Sequence, residues 1–359
     1  MFRRGSYNVN LVVENRETTK KALFRVPNRG YIPGEFAEKK VKGEVMTLKR
    51  LGDRTNISVP SVHCWGPAKE GPHKMTSFLV EEWMPGESLE GFLRNPQTSK
   101  EKLMYVFEQL ARIMLELSCQ EFNSIGSFSK DDKTGDWAVT GSVLIPEMID
   151  TRAYFDIPIG HFKAMDQFKI STDYFKHYAE YLEELLETQV RSGCEGLEND
   201  GTTERQRNAR RGYAKLIPEY AKDDSGPFVL YCSDLRPNNI LFDPETMEIT
   251  ALIDLEFTNA MPAQFAYDLP WWLLCERPAD VIIDHGMEEF LKRFNPRKEM
   301  FLEAMERVKE RDPMALTEPR LSARMRYSYD GSKIFWWNRI SESSRDFDTL
   351  YYEIFGNGE

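Results

Sequence analysis

Apolar and polar positions alternate at the front of the chain. Val9, Leu11 and Val13 interleave with Asn8, Asn10 and Val12, the period of a half-buried strand. A polar turn, Asn15 to Lys20, leads to a second strand, Ala22 to Val26, which Pro27 ends. The period then changes. Val41, Val45, Leu48 and Leu51 recur at helical spacing and predict a helix from about Glu35 to Leu51. Thr55 to Pro60 reads as an approach to a short strand, Val62 to Trp65, and Gly66 to Thr76 as a Gly- and Pro-containing surface loop. Ser77 to Met84 is a strand stopped by Pro85-Gly86. From Thr98 the pattern is helical. Thr98 and Glu101 form a capping box, and Leu103, Phe107, Leu110, Met114 and Leu117 make one apolar face. Between Gly126 and Lys169, Trp137, Val139 and Val143 give short strand-like alternation. Ser171 or Thr172 caps a helix with Tyr174, Tyr178, Leu182, Leu185 and Leu186 on one face. Polar residues 191–209 read as loop, before a helix toward Tyr220. Two apolar runs, Ile240 to Phe242 and Ile249 to Ile253, flank the turn Asp243-Pro244-Glu245-Thr246, a hairpin. A charged helix (Glu288 to Arg311) and a closing helix with Met325, Ile334, Phe335, Trp336 and Trp337 complete the pattern. Strands crowd the front and helices the back. The expected class is α+β, with a small β-rich part at 1–84 and a larger, mainly helical part at 85–359.

Composition narrows the class. The 359 residues are 41% hydrophobic and 12% aromatic, enough for a substantial core. The net charge of −11 argues against a nucleic-acid partner and against an anionic membrane surface. No apolar run approaches the roughly 20 residues that span a membrane, and MFRRGSYNVN has no signal core. The five cysteines (64, 119, 194, 232 and 275) are scattered and form no CxxC, and no HExxH occurs. The expectation is a soluble cytoplasmic protein.

The chemistry concentrates between Tyr231 and Glu256. Asn239 follows Asp234 by five residues, and Asp254 follows it by twenty. The hairpin between Asn239 and Asp254 folds back on itself, so its entrance and exit meet beside the loop that holds Asp234. Two carboxylates and a carboxamide at one point suit phosphoryl transfer, where one Asp positions the attacking hydroxyl while Asn and a second Asp hold Mg²⁺ on nucleotide phosphates. Elsewhere the signals are weaker. Arg25 stands in an otherwise apolar strand; it either faces water at a sheet edge or pairs with phosphate and a carboxylate of the next helix. Glu44 lies beside the apolar stripe of that helix, where a carboxylate is costly unless paired, whereas Lys39, Lys40, Lys42 and Lys49 mostly lie elsewhere. Gly5-Ser6 forms either a plain turn or one whose N–H groups face a phosphate. Asp268, ahead of the apolar run Trp271 to Leu274, either braces the preceding loop or caps a helix.

The chain resembles the aminoglycoside phosphotransferase family, within the protein-kinase-like fold, and especially its fungal branch. The carrying residues are Asp234-Leu-Arg-Pro-Asn-Asn239-Ile-Leu, Ile253-Asp254-Leu255-Glu256, Tyr267-Asp268-Leu269 and the closing stretch Ser328 to Tyr352. Arg25 with Glu44, Thr55 to Pro60 and Glu82-Trp-Met-Pro-Gly86 fall in the same order as in that family. The resemblance implies a bilobal fold with a nucleotide-binding first lobe and a catalytic, acceptor-binding second lobe. It implies that the backbone of Glu82, Trp83 and Met84 meets the base of ATP or GTP. Arg25, steadied by Glu44, and the Ser6 turn would reach the phosphates. Asp234 would orient or deprotonate a hydroxyl of a small-molecule acceptor, and Asn239 and Asp254 would bind Mg²⁺. The acceptor pocket would lie between Gly126 and Lys169 and the C-terminal helices, with Asp150, Asp156, Asp166 and Glu276 as acidic candidates. The chain departs from the family where Cys232 replaces the usual His, where Arg236 replaces a common His and so stands to contact the transferred phosphate or a substrate anion, and where it starts almost at the glycine turn. The rival expectation, from Cys232 and that start, is a kinase-like binding or regulatory protein without transfer activity.

Overall fold

The alternating segments at the front pair into an antiparallel sheet. β1 (Phe2–Arg4), β2 (Asn8–Glu14) and β3 (Lys21–Pro27) precede helix α1 (Gly34–Arg54), and β4 (Val62–Gly66) and β5 (Phe78–Glu82) follow it. The sheet order is β1-β2-β3-β5-β4. The computed structural model describes residues 2–5, 7–32, 34–71, 76–155, 167–191, 202–311 and 320–356. Val41, Val45, Leu48 and Leu51 are buried on one side of α1, as their spacing requires.

The chain then leaves the small sheet. β6 (Glu87–Ser88) leads into α2 (Leu89–Arg94) and α3 (Lys100–Ser118). Ser99, not Thr98, caps α3, its hydroxyl accepting from the Lys102 N–H at 3.4 Å. Thr98 is already used: its hydroxyl donates to the Phe92 carbonyl and its N–H to that of Asn95. β7 (Glu121–Phe122) follows, then a hairpin of β8 (Ser127–Lys130) and β9 (Trp137–Gly141). Helix α4 (Pro146–Phe155) was not expected. α5 (Ser171–Arg191) and α6 (Thr202–Tyr220) pack side by side, and α6 begins within the polar stretch expected to be loop.

The site is carried by what comes next. β10 (Phe228–Cys232) is the middle strand of a sheet β7-β10-β13, with β13 at Thr258–Pro262. β11 (Ile240–Asp243) and β12 (Glu248–Leu252) form the expected hairpin, and β6 pairs with β11. Beyond β13 come the short α7 (Ala263–Ala266) and the long α8 (Pro278–Arg311). α8 starts well before Glu288 and kinks at Gly286, where φ is 85°. α9 (Leu321–Arg326), α10 (Ile334–Ile340) and α11 (Phe347–Ile354) close the chain. The α10 side chain of Trp337 is fully buried and stacks on Tyr213 of α6, ring centroids 4.1 Å apart. A small antiparallel sheet region in front and a larger helical part behind match the α+β expectation. No helix among the described residues is long and apolar enough to cross a membrane.

Candidate active site

The loop after β10 is built by its own hydrogen bonds. The Leu235 N–H reaches the Cys232 carbonyl and the Asn239 N–H the Arg236 carbonyl, so the chain turns tightly through Pro237–Asn239. The Asn239 amide donates to the Asp234 carbonyl at 2.8 Å and to its carboxylate at 3.2 Å. At the far end of the hairpin, the Ile253 N–H bonds to the Asn239 carbonyl at 2.9 Å. Asp234, Asn239 and Asp254 are thereby brought together. Asp254 adopts a left-handed backbone, φ 60°, that turns the chain away from the strand. Burial pushes the Asp234 carboxyl up to about 6, against the opposing pull of Arg236, whose Nε is 3.2 Å from it. Cys232 pairs with Thr258 across the sheet and packs in the core. Burial pushes its thiol up to about 12, so it is neither a nucleophile nor a proton donor at neutral pH.

Arg25 does not face water. Its side chain is buried, and its guanidinium bonds to Glu44 at 2.5 Å, to Glu81 at 3.2 Å, to Glu256 at 3.5 Å and, in close contact, to Asp254. Glu44 is thus the paired carboxylate that its position on α1 called for. Lys40, one turn earlier on α1, is also buried and pairs closely with Glu256. Two cations therefore meet four carboxylates in a space closed to solvent except around Asp254, whose side chain is 36% exposed. Burial among like charges pushes Glu44 and Glu256 each up to about 7. Asp254 is held below its usual range: burial opposes this, but Arg25 and Lys40 prevail. Oxygens of Glu44, Asp254 and Glu256 lie within 4.8 Å of one another, and the Arg25 guanidinium bonds to all three. The carboxylates outnumber the cations, and the hard oxygens of Asp254 and Asn239 suit Mg²⁺.

The other expected residues fall as follows. Glu82 ends β5, and half-buried Trp83 and Met84 lie just beyond it, at the crossing from the small sheet to the helical part. Ser6, Asp156 and Asp166 lie outside the described residues. Next to Ser6, the Gly5 N–H bonds to the Asn8 carbonyl at 2.8 Å, closing a turn. Asp150 is not open to an acceptor cation at both oxygens: Tyr7 and Tyr31 donate to the same one, at 2.8 and 2.7 Å. Glu276 pairs with Arg293. Asp268 caps no helix; it accepts from the Leu269 N–H, the Ser328 hydroxyl and the Asn338 amide.

A family model described as the phosphotransferase enzyme family, APH, matches residues 4–310. The chain belongs to this family. The match is to the APH family as a whole rather than to one branch of it. Among solved structures the chain is similar to a protein from Ralstonia eutropha provisionally described as an aminoglycoside phosphotransferase (13% identity, 98% of this chain and 91% of that one, TM-score 0.49). It is also similar to an ethanolamine kinase from Plasmodium vivax (13%, 98% and 79%, 0.47). An aminoglycoside phosphotransferase from Streptomyces rimosus is a third (13%, 83% and 92%, 0.40). No curated protein matches the chain in sequence.

Reading the sequence as an APH family member still leaves four site residues without a role: Asn8, Lys40, Glu81 and Glu256. Two left a signal. Lys40 is four positions from Glu44 and so on its face of the helix, and Glu81 is in phase with buried Leu79 on its strand. The burial of Lys40 corrects the view that the α1 lysines lie off the buried side.

Proposed function

We propose that this family member transfers the γ-phosphoryl group of ATP or GTP, with Mg²⁺, to a hydroxyl of a small molecule. The observation that carries the reading is the meeting of Asp234, Asn239 and Asp254 at the two ends of one hairpin, beside Arg25. Such sites work by positioning and charge rather than by covalent chemistry. In this proposal residues 1–84 are the nucleotide lobe and 85–359 the catalytic and acceptor lobe. The backbone of Glu82, Trp83 and Met84 receives the base, and Arg25, held by Glu44, reaches the phosphates. Asn239 spends its amide nitrogen on Asp234, which leaves its oxygen, with Asp254, to hold the Mg²⁺ that when bound neutralises phosphate charge. Asp234 takes the hydroxyl proton as the acceptor oxygen bonds to phosphorus and the bond to the leaving diphosphate breaks. Lifted to about 6, it is a better base than an exposed Asp yet mostly ionised at neutral pH. Arg236, half exposed beside it, faces the transferred phosphoryl group. A cytoplasmic setting belongs to the proposal; Cys64, Cys232 and Cys275 form no disulfide.

The test is a phosphotransfer screen against a metabolite library, with nucleotide-dependent thermal shifts alongside. Asp234→Asn should abolish turnover and leave nucleotide binding nearly intact, whereas Asp254→Ala should weaken Mg-nucleotide binding too. An Asp234→Asn protein that keeps most of its activity overturns the assignment. Nucleotide binding with no acceptor turned over would make the chain a kinase-like binding protein instead.

A further inference from the structure

Lys40 is 1% exposed, and an ammonium rarely reaches such a place without dedicated partners. It has two: the Asn8 carboxamide oxygen at 2.6 Å and Glu256 Oε2. The Asn8 amide closes the ring by donating to the same Glu256 oxygen at 2.6 Å. Each corner comes from a different part of the site. Asn8 is the first residue of β2, and its carbonyl holds the Gly5 N–H, so it closes the glycine turn. Glu256 lies two residues past Asp254. Lys40 sits one turn before Glu44 on the same face of α1. The helix therefore grips the site twice, Glu44 on Arg25 and Lys40 on Asn8 with Glu256.

Resting on the phosphotransferase reading, we infer that Lys40 is a positioning residue that, through Asn8 and Glu256, holds the start of β2 against the Asp254 end of the hairpin at the nucleotide site. An amide bonded at both its oxygen and its nitrogen cannot rotate, and a fixed Asn8 side chain fixes the backbone that closes the turn. An apolar residue of similar volume would fill the space, but it would leave the amide undirected. A compact point charge suits a closed ring better than the wide fork of an arginine. The ring makes no hydrogen bond to Asp234, so its loss is felt in nucleotide binding and not in acceptor binding.

The test is titration of Mg-ATP into the full chain, with melting temperature and acceptor KM measured in parallel. Lys40→Met alone strands a buried carboxylate, so it is combined with Glu256→Gln to keep the charge balance. This pair of substitutions is expected to give a folded protein that binds Mg-ATP about tenfold more weakly. Asn8→Ala, which strands no charge, is expected to show the same loss with acceptor KM unchanged. Unaltered nucleotide affinity in Asn8→Ala, or in the folded double variant, overturns the inference and leaves the phosphotransferase reading standing. If the double variant does not fold, Asn8→Ala decides alone. Absence of Mg-ATP binding in the parent protein overturns both.

Discussion

Asp234 is a carboxylate pulled two ways. Burial raises it to about 6, while the Arg236 guanidinium favours its ionised form. Only the ionised form can take a proton from a hydroxyl, so turnover should fall as pH drops through about 6. Arg236→Ala removes the downward pull and should move that acid limb to higher pH; a pH–rate profile that does not move would show the two side chains to be uncoupled. The linkage to stability has the opposite sense. A carboxylate whose folded value is raised stabilises the fold below its unfolded value and loses that contribution as pH rises through the folded one. The arrangement around Asp234 is thus held in place against a local cost. Legibility differs from residue to residue here. Asp234, Asn239 and Asp254 could be read because a hairpin, a local object, joins them. Lys40 could not: its neighbourhood, Glu-Lys-Lys-Val-Lys, reads as a solvated helix face, and its partners stand 32 and 216 positions away.

At the scale of elements, the segment between the small sheet and the helical part is more than a flexible joint. Glu87 and Ser88 pair with Phe242 and Leu241 of the β11–β12 hairpin, and the Thr250 hydroxyl donates to the Pro85 carbonyl at 3.0 Å. Gly86 lies close over that hairpin with φ 134°, and a Cβ there would sit 2.8 Å from Thr250 Oγ1 and 3.2 Å from Leu241 Cβ. Gly86→Ala should therefore destabilise the protein by about 1–3 kcal/mol, read from urea unfolding. Because Leu241 is two residues past Asn239, turnover should fall as well. A variant as stable and active as the parent would show that the turn relaxes freely. The strand stop at Pro85-Gly86 was legible from composition; the need for glycine was not, since it arises from a hairpin far along the chain. α4 escaped prediction because Glu147, Met148, Ile149 and Thr151 are all buried, which leaves no stripe to detect. α6 escaped at its start because its first turn is wholly polar.

Taken as a whole, the molecule is cross-tied between its front and its back. Tyr7 and Tyr31 donate to Asp150, the Leu252 N–H bonds to the Ser58 carbonyl, and Arg25 and Lys40 find counter-charges beyond β12. Far-ultraviolet dichroism and tryptophan fluorescence should accordingly report one coincident urea transition; two separated midpoints would refute a single cooperative unit. The same ties bear on synthesis. Arg25 and Lys40 leave the ribosome 229 and 216 residues ahead of Asp254 and Glu256. At about 5–20 residues per second that is a wait of roughly ten to forty seconds. Throughout it β3 and α1 carry cations without all the partners that justify their burial. The small sheet and α1 are made early but completed only when the far end of the hairpin arrives.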